Sequence, residues 1–267
     1  MTPSLAFQPP RQPRGGPARR TPWCVGPHLP HTRRKAETVL ALPAAPPQVV
    51  PFIARHSAEA TLKPPLILNP QGLLAYEDET PQDRDSFGML WVRTLVLPPE
   101  QRGEPQLDSV NPYRQRQAMD DLLCQVCQRP PEDMDAPSLF LMRNTGGPVK
   151  EGELTTSPPV CVPCAAIAIQ LCGALRGGRY VAAWVDSAPH WGVAGLVYNP
   201  LTLTPVPGRG LERVEYGTAF APWTVAARTV TALYGVRPAD LEAEFARLGT
   251  DRLEEEFARV AELVGVP

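Results

Sequence analysis

The chain has 267 residues and a formal net charge of −2, enough length for one large domain or two small ones that each bury a core. A hydrophobic content of 43% excludes a wholly disordered chain, and the near-neutral balance excludes the basic composition of a dedicated nucleic-acid binder. The 34 prolines exclude long uninterrupted helices over most of the length, and no run approaches the roughly 18 consecutive apolar residues that cross a bilayer.

Residues 1–47 form an arm rich in Pro and Arg, with seven cations and no acid between Met1 and Lys35. The pair Arg33–Arg34 precedes only the short apolar stretch Thr38 to Ala45, which Pro43 interrupts, so an export signal is not expected. The arm reads as disordered, and Cys24 within it is assigned no role. Arginine supplies 23 of the 26 cations. With Asn and Ile at four each, this skew follows GC-rich codons rather than selection for phosphate-binding forks.

Residues 48–110 read as a region of short strands, with apolar runs at Val49 to Ala54, Leu66 to Leu68, Leu73 to Tyr76 and Met89 to Leu97 separated by Pro, Asn and Gly. Glu77, Asp78, Glu79, Asp83 and Asp85 flank Pro81 without the glycine-punctuated spacing of a calcium loop, and are read as a solvated acidic loop. Residues 111–235 should form the α+β region. Asn111 followed by Pro112 supplies an N-cap and first-turn proline for a helix running to Leu123. Ser138 to Arg143 is a strand, and Pro163 to Arg176 a helix stopped by Gly177–Gly178. Tyr180 to Val185, Gly192 to Tyr198 and Leu201 to Val206 are further strands. Trp223 to Tyr234 places Val225, Ala226, Thr229, Val230 and Leu233 on one helical face, which predicts a helix packed on that sheet. Residues 236–267 carry two similar segments, Leu241 to Leu248 and Leu253 to Val260, offset by twelve positions. On a continuous helix their apolar stripes would diverge by about 120°, so a break at Gly249 is expected, with Asp251 and Glu254 as a capping box for a second helix. This acidic helical hairpin and the arm are both expected to be dispensable for the fold.

Six cysteines occur, and four make two pairs, Cys124-x-x-Cys127 and Cys161-x-x-Cys164. A two-residue gap lets both thiolates of a pair face one ion from a tight turn, and two pairs complete the tetrahedral set that Zn²⁺ prefers. The second pair opens a helix, where backbone N–H groups and the helix dipole stabilise thiolate. Zn²⁺ is the preferred reading over an iron or iron–sulfur centre and over disulfide chemistry. Cys172, about 12 Å along the helix from Cys164, is read as a small core residue rather than a fifth ligand. A knuckle, a strand and turn, then a helix carrying the second pair looks like a treble-clef zinc finger, with an elaborated hairpin or loop filling the 33 residues between Cys127 and Cys161.

The segment from Arg114 to Cys127, with Pro158 to Ala165, resembles uncharacterised actinobacterial proteins that carry a treble-clef-like Cys₄ finger. The resemblance spans roughly 49–235 and implies the fold and a zinc site but no activity. The Cys-Gln-Val-Cys knuckle also resembles the zinc-bound form of HNH endonucleases. There the likeness stops at the ligands, because neither Ser138 to Gly147 nor Pro163 to Arg176 supplies the histidines those enzymes use.

Catalytic templates are absent: none of the seven serines lies in Gly-x-Ser-x-Gly, and no phosphate-binding glycine loop or His-Glu-x-x-His occurs. Asp186, Ser187 and His190 read as a turn between strands rather than a triad. The sequence therefore predicts an α+β protein with short-stranded antiparallel sheets, a treble-clef-like finger and a C-terminal helical region, held in the reducing cytoplasm by its thiolates. The leading functional expectation is a zinc-stabilised binding or scaffold protein with a protein partner. The alternative is a nucleic-acid-associated protein, such as a degenerate HNH relative, using Arg114, Arg116, Arg129, Arg176 and Arg179. No membrane association is expected.

Overall fold

The computed structural model describes residues 42–131, 133, 135–208 and 210–264; the expectations for 1–41, Cys24 included, lie outside the described residues. Two strands, β1 (Ala54–His56) and, further on, β5 (Pro105–Val110), pair antiparallel. Between them β2 (Leu66–Leu68) and β3 (Leu74–Tyr76) form an antiparallel ladder, and β4 (Leu90–Trp91) is a two-residue strand. After β5 come α1 (Pro112–Asp120), β6 (Ser138–Arg143), β7 (Glu153–Thr155) and α2 (Val162–Leu171). The chain continues through β8 (Tyr180–Val185), β9 (His190–Val197), β10 (Glu212–Glu215), β11 (Thr224–Leu233) and β12 (Arg237–Pro238). It finishes with α3 (Leu241–Leu248) and α4 (Thr250–Val264). The result is a mixed α+β architecture of helices and short, mainly antiparallel sheets.

The largest sheet has the order β10-β9-β11-β4, with β7 also pairing β11. Trp223 to Tyr234, expected as a helix, is the long central strand of that sheet. Its residues are buried on both faces, which removes the period-two alternation by which a half-exposed strand is recognised. A register shift against β9 between Ala226 and Arg228 displaces the pattern further. The β-branched residues Thr224, Val225, Thr229, Val230 and Thr231 decide the local preference. In β9, Gly192 has a local role: a Cβ there would collide with the carbonyl oxygen of Val214 on β10.

On its other edge β11 pairs with β4 in parallel at Val225–Ala226 and with β7 antiparallel at Thr231–Leu233. Between these two short partners the backbone of Thr229 meets a side chain instead. The Gln115 amide, fully buried on α1, accepts from Thr229 N–H (2.9 Å) and donates to the Thr229 carbonyl (3.1 Å). It also donates to the Thr156 carbonyl (2.8 Å), so one side chain imitates a missing strand residue.

The three-stranded sheet β12-β8-β6 is covered on both sides. Leu139 and Leu141 of β6, with Ala182 and Trp184 of β8, face α2, α3 and α4, whereas Phe140, Ala183 and Val185 face Leu233 of β11. α2 is apolar nearly all round because it lies inside this arrangement. It ends at Leu171 rather than Arg176. Arg176 Nε donates to the Gln170 carbonyl (2.7 Å) and Arg179 Nη2 to the Gly173 carbonyl (2.6 Å), so arginine side chains satisfy the carbonyls at this end. Leu201 to Val206, expected as a strand, is a turn built on Asn199, whose side chain accepts from Leu201 N–H.

The described parts of both segments expected as appendages pack on the body. Leu42 and Ala45 pack against the cluster around α2, and the Gln170 amide bonds Ala45 N–H and the Pro43 carbonyl, so 42–47 belong to the body. The break at Gly249 is present, with α4 starting at Thr250 and Leu253 N–H bonding the Gly249 carbonyl; Asp251 therefore lies inside the helix, one residue past its start. Leu241, Phe245, Leu253, Phe257 and Val260 all bury in the α2 cluster, and Val50 N–H bonds the Val264 carbonyl. The tail is thus part of the core. The described residues of 48–110, 111–235 and 236–264 lie within one compact unit.

A buried ion pair anchors the N-terminal part. Glu59, fully buried, accepts from both terminal nitrogens of Arg114 (2.5 and 2.7 Å) and from His56 N–H (2.9 Å). Burial alone would raise the Glu59 carboxyl, but the Arg114 and His56 hydrogen bonds outweigh it and hold the group at about 2.

Two outcomes follow from these buried polar groups. Gln115→Leu strands the Thr229 N–H and carbonyl and should cost about 2–4 kcal/mol in urea denaturation. The Glu59 carboxyl takes up a proton less readily in the folded than in the unfolded chain. Its stabilisation is therefore complete above its ordinary value of 4.5 and lost as pH falls toward about 2. The stability gap between wild type and Glu59→Gln should be widest above that ordinary value and close on acidification.

Candidate metal centre

The cysteine site is assembled from two local structures that the chain builds separately. Asn111 caps α1, its side chain accepting from Arg114 N–H (3.1 Å), and Leu122 in the left-handed region (φ 51°) turns the chain out of the helix toward Cys124. The knuckle that follows is closed by Cys124 N–H to the Arg129 carbonyl (2.8 Å) and Gln128 N–H to the Cys124 carbonyl (2.9 Å). Its backbone is held on both sides. Phe52 N–H bonds the Val126 carbonyl (2.9 Å), and Gln125 N–H bonds the Pro159 carbonyl (2.9 Å).

The second pair sits at the start of α2, with Cys161 as N-cap and Cys164 in the first turn. Val160 N–H bonds the Leu139 carbonyl (2.8 Å), fixing the entry of this helix against β6. The four thiol sulfurs of Cys124, Cys127, Cys161 and Cys164 lie within 4.8 Å of one another and can hold a metal ion. Cys127 and Cys161 sulfurs are 3.9 Å apart, too far for a disulfide and close to the edge of about 3.8 Å of a tetrahedron with 2.3 Å metal–sulfur bonds. Cys164 is fully buried, Cys124 and Cys127 nearly so, and Cys161 half-buried.

Four thiols so close compete for protons. Hydrogen bonds from Cys124 and Cys161 hold the Cys127 thiol well below the usual thiol range, while the same contacts push Cys161 and Cys164 up. A central cation removes this conflict by stabilising every thiolate. Cys161 N–H also donates to Cys124 Sγ (3.4 Å), an outer contact that favours thiolate.

Other expectations for this part of the chain are resolved by the same geometry. Cys172 is exposed at the end of α2, not a core residue, because the helix stops there. The interval between the cysteine pairs contains β6 and β7, but β6 pairs with β8 and β7 with β11, so among the described residues no hairpin joins knuckle and helix. Asp186 binds Arg237 (2.8 Å), while His190 Nε2 lies 3.4 Å from Asp120, so those two residues of the 186–190 turn face different partners. The acidic loop is not simply solvated: Asp83 is buried on Arg93 (2.7 Å), Glu79 pairs with Arg84 (2.7 Å), and Asp85 accepts from the Trp91 indole (2.9 Å).

The five arginines do not form one patch. Arg114 is buried on Glu59, Arg116 lies over the Trp91 ring (4.7 Å), and Arg129 pairs with Glu256 (2.7 Å). Arg176 and Arg179 serve the end of α2. Sequence reasoning missed Glu256 and Arg259. Arg259 Nη2 is 3.9 Å from Cys127 Sγ and its Nε bonds Glu256 (2.9 Å). A signal was present, since Glu256 shares the apolar stripe of Leu253, Phe257 and Val260, where a carboxylate requires a buried cation.

No protein family, curated protein or solved structure matches the chain. No helix among the described residues is long and apolar enough to cross a membrane. Because Cys164 is fully buried beside Ala165 and Ile167, Cys164→Ser should both lower the bound metal, measured by elemental analysis, and reduce the thermal midpoint.

Proposed function

We propose that the ion is a structural Zn²⁺ and that the protein is a zinc-stabilised binding or scaffold protein with a protein partner. The observation that carries this reading is the closed donor set. Four sulfurs within 4.8 Å of one another, one pair at 3.9 Å, can supply all four ligands of a tetrahedral ion and so leave no position for water or substrate, the arrangement of a structural rather than a catalytic zinc. The N-capping position of Cys161 and the knuckle at Cys124–Cys127 support a treble-clef-like centre in its two ligand-bearing halves, although the strands between them join different sheets. Reduced thiolates favour a cytoplasmic setting.

The apolar face of α3 and α4 is consumed by the core, so the partner surface in this reading is the outer, acidic face that carries Glu242, Asp251, Glu254, Glu255 and Glu262. The nucleic-acid reading loses Arg114 to burial and Arg129 to Glu256. Purified zinc-loaded protein used as bait against lysate, with and without nuclease and across a salt series, separates the two. Capture that survives nuclease and is abolished by Glu254→Lys with Glu255→Lys supports the protein partner. Capture lost to nuclease and falling steeply with salt through counterion release supports nucleic acid and overturns this proposal.

A further inference from the structure

A four-thiolate site with a divalent ion retains two negative charges, and here it would be enclosed by Val126, Leu139, Ala165, Ile167, Phe257 and Val260. Backbone N–H groups and the start of α2 offset part of that charge. One side chain of α4 approaches as well: Arg259, whose Nη2 is 3.9 Å from Cys127 Sγ.

Arg259 is not an isolated contact. Glu256, nearly fully buried one turn earlier, receives Arg259 Nε (2.9 Å), Arg129 Nη2 (2.7 Å) and Arg252 Nη2 (3.0 Å). Arg252 is also bound to Glu255 (2.8 Å). Three guanidinium groups thus converge on the Glu256 carboxylate beside the cysteine cluster. Arg129 lies two residues beyond Cys127, so the carboxylate that orients Arg259 is fixed by the knuckle itself. Arg259 divides its donors, Nε to Glu256 and Nη2 toward sulfur, a fixed planar arrangement that a flexible ammonium meets less well.

We propose that Arg259 is a positioning residue of the metal centre, donating to the Cys127 thiolate and thereby making α4 part of the site. The inference rests on the zinc reading. By linkage, whatever α4 contributes to holding zinc, bound zinc returns to the docking of α4. Removing an outer partner of a metal ligand typically weakens binding roughly 10- to 100-fold.

The test compares full-length wild type with Arg259→Met, Arg259→Gln and Arg259→Lys. Zinc affinity is measured by competition with a chromophoric chelator, and the sulfur-to-metal charge-transfer band is recorded after cobalt substitution. Met and Gln should lose roughly 10- to 100-fold in affinity and shift the band to lower energy, as a sulfur relieved of its hydrogen bond donates more strongly, while Lys restores part of both. A merely structural role would change thermal stability without moving the band. Unchanged affinity and band in Met and Gln overturn the proposal while leaving the zinc reading intact. A wild type that binds neither zinc nor cobalt overturns the zinc reading itself.

Discussion

The rest of the molecule depends on enclosing four thiols in apolar surroundings. A thiolate cluster in a low-dielectric core is unfavourable without a cation to balance its charge. The chain nevertheless brings Cys124, Cys127, Cys161 and Cys164 together and wraps them with the knuckle, α2, β6 and α4. Each element has a second reason to be there. β6 and β8 bury both faces, α2 has no polar side to turn outward, and α4 has an apolar stripe too wide to leave in water.

Two further buried polar arrangements show the same logic at other points. Glu59 and Arg114 are expensive to desolvate singly and tolerable only as a fully bonded pair, which ties the β1–β5 ladder to the start of α1. Gln115, the next residue and about 100° further round the helix, completes the edge of β11. One short helix therefore joins the N-terminal strands to the central sheet by side-chain chemistry on consecutive residues. Its C-terminal end then delivers the first cysteine pair. The packing of the ligand site is in this way continuous with the packing of the sheets.

The arginines show where such side chains are spent. Five of them near the cysteines in sequence are the basis of the nucleic-acid alternative, yet Arg114 and Arg129 are directed at carboxylates and Arg176 and Arg179 at backbone carbonyls. A guanidinium has five donors and can satisfy buried acceptors that lysine reaches less well. In a chain with few lysines, arginine takes over structural positions, so its count says little about external partners.

The sequence by itself determined the local features. The two Cys-x-x-Cys pairs, the Asn111–Pro112 start of α1, the strands Ser138–Arg143 and Tyr180–Val185, and the break at Gly249 depend on spacing and on residues within a turn or two. Tertiary structure alone decided the rest. β11 imitated a helix because burial on both faces erased its alternation, and the polar strands β5 and β10 gave no apolar run to read. Whether the tail was an appendage or a wall of the cysteine site depended on what its apolar stripe met, which no local pattern encodes. The same holds for Arg259: its role arises from a contact spanning 132 positions of sequence, and only the folded chain brings that guanidinium to Cys127.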